Sequence, residues 1–144
     1  MAVWQYSFWG LPEKKLLEVY GEIPHEIDED TFNSIPWFEG VDQGLIVGKI
    51  NFLLRSEHWS KDAMFWGDFE KDSITLWTEG GAVSELSFRV DLRSCYKNMT
   101  GAMLELLAAC DFVLVREDLV TQTYDADFVE FLEFVALCRN IKGG

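Results

Sequence analysis

Leu86-Ser87-Phe88-Arg89-Val90-Asp91-Leu92-Arg93 carries an apolar side chain at every even position and a polar one at every odd position. That two-residue period belongs to a β-strand with one buried face and one open face. Upstream, Ser73-Ile74-Thr75-Leu76-Trp77-Thr78 alternates in the same way, and Glu79-Gly80-Gly81-Ala82 between the two supplies the glycines of a hairpin turn. With Met64 to Glu70 as a further strand and Asp68 to Asp72 as its turn, the stretch from Met64 to Arg93 reads as three strands joined by two turns. If Ile74 and Leu76 share the core with Phe88, Val90 and Leu92, then Trp77 points the other way, beside Arg89, Asp91 and Arg93. Placing Phe65, Gly67 and Phe69 inward puts Trp66, Asp68 and Glu70 on that outer side as well.

Outward from this stretch, Val3 to Trp9 alternates with Trp4, Tyr6 and Phe8 on one face, which predicts a strand of the same sheet. Pro12 suits the first position of a short helix with Leu16, Leu17 and Tyr20 as its apolar stripe and Gly21 at its left-handed end. From Glu22 to Gly40 no period survives, and an irregular connection is expected. Asp42 caps a helix carrying Ile46, Ile50, Leu53 and Leu54, or, given the β-branched content and the weakening effect of Gly44 and Gly48, that segment is a strand. Asn98 or Thr100 caps a helix whose Met99, Met103, Leu106, Leu107 and Cys110 face the core. Phe112-Val113-Leu114-Val115 predicts a short strand buried on both faces. A last helix runs from about Asp125 to Arg139, capped by Asp125 or by the Asp127 to Glu130 pair in capping-box spacing. It carries Phe128, Phe131, Leu132, Val135 and Cys138, and Phe134 and Leu137 widen the apolar face enough that cover from two sides is expected. The expected fold is α+β: a mainly antiparallel sheet of about five strands with helices packed on it in two layers, residues 1–144 forming a single domain without linker or repeat.

Twenty-five acidic against twelve basic residues give a formal charge of -13, and eight acids before residue 40 face only Lys14 and Lys15. Such a field repels nucleic acid and anionic membrane surfaces and suits a partner protein with a basic surface. Acidity alone also keeps an aromatic-rich chain soluble. Cys95, Cys110 and Cys138 are an odd number with long, unpatterned spacings, which suggests neither a disulfide framework nor a zinc ribbon, and Cys110 and Cys138 are expected to pack as small hydrophobes. The amino terminus has no basic n-region, and no segment reaches the length of a membrane-spanning helix. A reducing, cytoplasmic setting is therefore expected, and Asn98-Met99-Thr100 is then a chance glycosylation pattern.

The chemistry-bearing residues are few. His25 lies among Glu26, Asp28, Glu29 and Asp30, a set of types that could hold a divalent cation, but no second histidine follows at i+3 or i+4 and the calcium-loop spacing is missing. A solvated acidic loop is the simpler reading, and no metal or cofactor is expected. His58, between Glu57 and Trp59, would need a partner from elsewhere in the chain to act in acid/base catalysis. There is no Gly-x-Ser-x-Gly elbow, cysteine-protease signature, P-loop or dinucleotide fingerprint, and twenty-five acids make carboxylate pairs too common to be informative. An enzyme is the less favoured reading. The open sheet face remains: Trp66, Trp77, Arg89, Asp91 and Arg93 have the composition of a protein interface, with Glu26, Asp28, Glu29 and Asp30 as an electrostatic rim. Against that stands an ordinary cross-strand ion ladder of Arg89, Asp91 and Arg93, or cover by a helix or by the chain's own Pro36-Trp37-Phe38 loop.

An aromatic first strand, Trp59-Ser60, Phe65-Trp66-Gly67-Asp68, the run Phe88 to Arg93, and then helix, short strand and terminal helix resemble small acidic bacterial α+β proteins of the toxin-immunity type. The resemblance is one of pattern, spans roughly residues 59 to 140, and transfers no functional residue. It implies a stoichiometric inhibitor of a basic toxin. The alternatives are a small-ligand domain or hydrolase with a pocket built from His25, His58 and carboxylates, and a structural homodimer formed through the same sheet face.

Overall fold

The structure is a computed structural model that describes residues 3–93, 97–122 and 127–141, with the side chains of Lys97 and Asp127 left aside. Seven antiparallel strands form one sheet: β1 (Gln5–Pro12), β2 (Arg55–Ser56), β3 (Ala63–Gly67), β4 (Ser73–Glu79), β5 (Ala82–Asp91), β6 (Phe112–Arg116) and β7 (Thr121–Gln122). Their spatial order is β2-β3-β4-β5-β1-β6-β7. The helices are α1 (Glu13–Tyr20), α2 (Glu29–Ser34), α3 (Gln43–Val47), α4 (Lys97–Cys110) and α5 (Asp127–Cys138). The α+β class and the antiparallel sheet agree with the sequence; the sheet is two strands wider because β2 and β7 are two-residue edge pairings that carry no period of their own.

β5 is the longest strand and lies between β4 and β1. Ile74 pairs with Phe88 and Leu76 with Leu86 on one side; Tyr6 pairs with Val90 and Phe8 with Phe88 on the other. All of these are buried, and they form the floor of the core. α4 packs on β6 and α3 on α4, while α5 sets Phe128 against Phe8 at 5.2 Å and Phe131 edge-on to Tyr6 at 5.3 Å. The hairpin glycines behave as the sequence requires: Gly80 and Gly81 both have positive φ, at 60° and 86°, as a tight two-residue turn between right-twisted strands demands.

The register of β3 differs from the sequence expectation. Trp66 pairs with Ile74 and Met64 with Leu76, so Trp66 stands on the helix-covered face and is 4% exposed, with the Arg55 guanidinium 5.0 Å from its ring. Phe65, opposite Thr75, takes the outer face. Both faces of β3 are apolar, so its composition alone does not choose between the two registers. The choice is made at Gly67, whose φ of 97° ends the strand and where an added Cβ would collide with the Asp72 carbonyl. The turn then carries Phe69 back over Phe65, the two rings stacking at 4.0 Å and 10°.

The polar residues at the far end of the outer face form a staple. Asp91 is buried, accepts from Arg93 Nε at 3.0 Å and Nη2 at 3.1 Å, and its own N–H donates to Asp72 Oδ1 at 2.7 Å. Arg93 also donates to the Glu70 carbonyl and covers the Trp4 ring, whose indole N–H donates to the same carbonyl. The Gln5 amide donates to the Phe69 and Lys71 carbonyls. Asp91 and Arg93 therefore tie the Asp68 to Asp72 turn to β1 and β5, with Asp91 buried and the Arg93 side chain left exposed. Burial pushes the Asp72 carboxyl up, an effect opposed by the Asp91 N–H and reinforced by the Asp91 charge.

Other expectations are corrected locally. The connection after α1 contains the helix α2, nucleated by Asp28, whose carboxylate accepts from Thr31 N at 3.0 Å and Thr31 Oγ1 at 2.6 Å. Those bonds from Thr31 hold the Asp28 carboxyl below its ordinary range. The helix after Asp42 stops at Val47, before Ile50, Leu53 and Leu54. On α5, Phe134, Leu137 and Cys138 face solvent, so one side of that helix is covered instead of two; Cys110 is buried as expected. Cys95 and Asp125 lie outside the described residues.

Truncating Trp66 to alanine removes a large side chain from the core and is expected to cost about 3–5 kcal/mol of unfolding free energy. Trp59→Ala, at an exposed loop position, should stay within about 0.5 kcal/mol. Urea titrations of the two variants beside the wild type measure both.

Candidate functional site

Side chains of β1, β4 and β5 that point away from α4 and α5 form three cross-strand rows. Thr75, Ser87 and Trp9 make the middle row, with Phe65 extending it onto β3. Ser73, Arg89 and Ser7 make the row on one side, and Trp77 and Glu85 the row on the other. The small hydroxyls of Thr75 and Ser87 leave a floor between taller neighbours. One wall is aromatic: His58 packs 5.0 Å from Trp77 at nearly a right angle, Trp59 lies 5.8 Å from Trp77, and the Phe65–Phe69 stack adjoins His58. The other wall is Trp9, braced edge-on by Phe32 of α2 at 5.1 Å. Between them lies a groove of about 410 Å³.

The chain's own cover of this outer face is partial. The segment before α2 pairs Glu26 with Val120, the Ile27 N–H donates to the Leu119 carbonyl at 2.9 Å, and α2 then sets Phe32 against Trp9. Nothing among the described residues spans from the Trp9 wall to the Trp77 wall. Trp59, on the lip, is 80% exposed.

The polar groups of the groove sit at opposite ends. Arg89 and Glu85 are four residues apart on one strand, about 13 Å along the floor. Burial pushes the Glu85 carboxyl up, and a hydrogen bond from the Trp9 indole opposes that shift. Among the described residues, the other four arginines each have a carboxylate or an aromatic ring: Arg55 over Trp66, Arg93 with Asp91, Arg116 with Asp118, and Arg139 with Glu117. Arg89, half-buried, has neither.

The residues singled out from sequence are thus divided. Trp77 and Arg89 come together in the groove. Trp66 is on the opposite face, and Asp91 and Arg93 belong to the staple. Glu26, Asp28, Glu29 and Asp30 are exposed around the start of α2, behind the Trp9 wall, with Asp28 already engaged as the helix cap. Glu85, Ser87 and Trp9 were legible, since they share the parity of Arg89 and of Gln5 and Ser7. Trp59, Phe65 and Phe69 were not, because loop geometry and the β3 register place them.

Neither histidine makes an acid/base pair with a carboxylate among the described residues. His58 Nδ1 accepts the Ser60 N–H at 2.9 Å, which puts the proton of the neutral ring on Nε2, and His25 is exposed with its carbonyl accepting from Thr121. No group of three or more His, Cys, Asp or Glu side chains among the described residues could hold a metal ion. A larger cleft of about 680 Å³ lies between Asn33–Val41 and the β4–β5 turn, but its Trp37 and Phe38 rings are turned into the core and its charged side chains are the carboxylates Glu39 and Glu79. No helix among the described residues is long and apolar enough to cross a membrane.

Fold and site together define an antiparallel α+β domain with helices sealing one sheet face and an aromatic groove on the other. Set against protein-family models, curated proteins and solved structures, the chain matches none.

Because the folded-state pKa of Glu85 lies above its ordinary value of 4.5, the folded state binds its proton more tightly than the unfolded chain does. The stability this contributes is complete below about pH 4.5 and is lost as pH rises through the raised value. Glu85→Gln, which keeps an oxygen for the Trp9 indole, should therefore melt at a higher temperature than the wild type at pH 7. The gap should close toward pH 4, as thermal scans at the two pH values would show.

Proposed function

We propose that this chain is a protein-binding domain that works through the groove on its outer sheet face, as a stoichiometric inhibitor of the immunity type acting on a basic protein. The observation that carries the reading is the aromatic lip: Trp59 is 80% exposed beside Trp77 and His58, on a concave surface whose opposite wall is a third tryptophan. Clustered tryptophans around a concave floor are the usual anchors of protein interfaces. The formal charge of -13 complements a basic partner and speeds encounter with it at low salt. The His25 and His58 geometry gives the hydrolase alternative no assembled acid/base pair to build on.

Tagged wild-type chain, the Trp59→Ala/Trp77→Ala double variant and Leu137→Ala, altered on the exposed side of α5, make the test. A basic protein recovered in a one-to-one ratio by the wild type and by Leu137→Ala, but lost with the tryptophan double variant, supports the proposal. Its affinity should fall several-fold between about 0.05 and 0.5 M salt, as the screening of exposed charge requires. Recovery of the same proteins by all three chains overturns the groove as the interface. Concentration-dependent dimerisation of the purified chain, abolished by the double variant, would assign the groove to a second copy instead.

A further inference from the structure

Resting on the groove as the binding site, we propose that its occupant is a single extended segment of the partner whose carboxylate side chain is held by the Arg89 guanidinium. Four of the five arginines in this protein are committed to internal carboxylates or rings, and Arg89, half-buried on the floor of the groove, has no such partner among the described residues. In a chain with twice as many acids as bases, Arg55 and Arg89 are the two arginines without an acid among the described residues, and of these only Arg89 lacks an aromatic ring as well. A guanidinium that loses water when the groove fills needs a planar acceptor in return, and a carboxylate supplies two oxygens in matching geometry.

The polarity of the groove fixes where that acid lies. Glu85, at the other end of the floor, repels a carboxylate, so the acid of the segment sits at the Arg89 end and not the reverse. The width fixes the backbone. One wall rises from Trp9 of β1 and the other from Trp77 of β4 and Phe65 of β3, so the strand axes that carry them lie about 10 Å apart at Trp77 and about 14 Å apart at Phe65. An extended chain fits even the narrower end beside Trp77, which a helix, about 10–12 Å across with its side chains, overfills. The apolar side chains of the segment then meet Trp77 and Trp9 while its polar backbone lies over Thr75 and Ser87.

This arrangement separates attraction from recognition. The acidic body draws any basic protein, and Arg89 discriminates among those drawn, because a segment without the acid leaves a desolvated guanidinium unpaired.

A phage-displayed library of random dodecapeptides, panned at pH 7 against the wild-type chain, tests the assignment. The enriched peptides are expected to carry an Asp or Glu beside aromatic or aliphatic residues. Synthetic copies should bind Arg89→Glu and Arg89→Gln at least roughly thirtyfold more weakly, the scale of a lost charge-assisted pair. Arg89→Gln keeps the outcome readable if the charge reversal perturbs folding, which circular-dichroism melts of both variants would report. Peptides that lose affinity for Trp59→Ala/Trp77→Ala but bind both Arg89 variants as they bind the wild type overturn the Arg89 assignment and leave the groove reading intact. Peptides indifferent to all of these substitutions, or no enrichment over an uncoated surface, overturn both.

Discussion

The alternation of side chains along β5 is the constraint from which the rest of the molecule follows. Hydrogen-bonded to β4 on one edge and β1 on the other, the strand cannot slip by one residue without moving Leu86, Phe88 and Val90 into water and Ser87 and Arg89 into the core. The two neighbours repeat the same parity, so the preference is summed over three strands and no single side chain decides it. The helices α4 and α5 need an apolar platform and find it on one face. What is left on the other face is polar in its centre because the same period requires it, and the groove is a by-product of that requirement until its walls are considered.

The walls are not dictated by the period. Trp9 follows the β1 alternation, but Trp59 and His58 come from the connection before β3, and Phe69 comes from the turn after Gly67. The connection before β3 and the turn after Gly67 converge on one edge of the polar floor and place Trp59 and Phe69 there, where solvent reaches them. Burial alone would have been served better by turning these rings inward, as Trp37, Phe38 and Trp66 are turned. The contrast between rings that are sealed and rings held at the lip sets this surface apart from the remainder of the sheet.

Much of the fold was legible because it rests on sustained patterns: β4, β5 and the stripe of α4 are each specified by five or more residues pointing to one answer, and β6 by an apolar run of four. Trp66 and Phe65 show where such reading stops. Both are large aromatic residues, both faces of β3 are apolar, and the decision between them lies in a backbone conformation at Gly67 and in the pairing with Ile74, neither of which alternation encodes. Asp91 and Arg93 show a second limit. They share the parity of Arg89, but the strand ends at Asp91, and the turn from Asp68 to Asp72 folds over that end and captures them. α2 was hidden for a related reason: six residues hold too few turns for a helical stripe, and the Asp28 cap is visible only once Thr31 is seen to donate to it.

Charge and shape act on different length scales here, which is why they do not conflict. The excess of acid is felt out to about 10 Å at moderate ionic strength and is set by the whole surface. In the proposed mode Arg89 would act only on a segment that has entered the groove and displaced its water, where a single guanidinium would outweigh carboxylates that solvent screens. A uniformly acidic surface would bind basic proteins with little choice among them. One cation set into the floor, opposed by Glu85 about 13 Å away, gives the groove a direction and makes the fit of a segment depend on where its own charges fall. In a fold whose sheet must turn one polar face outward, that asymmetry requires no new element, since both residues already occupy outward positions of the strand on which the fold is built.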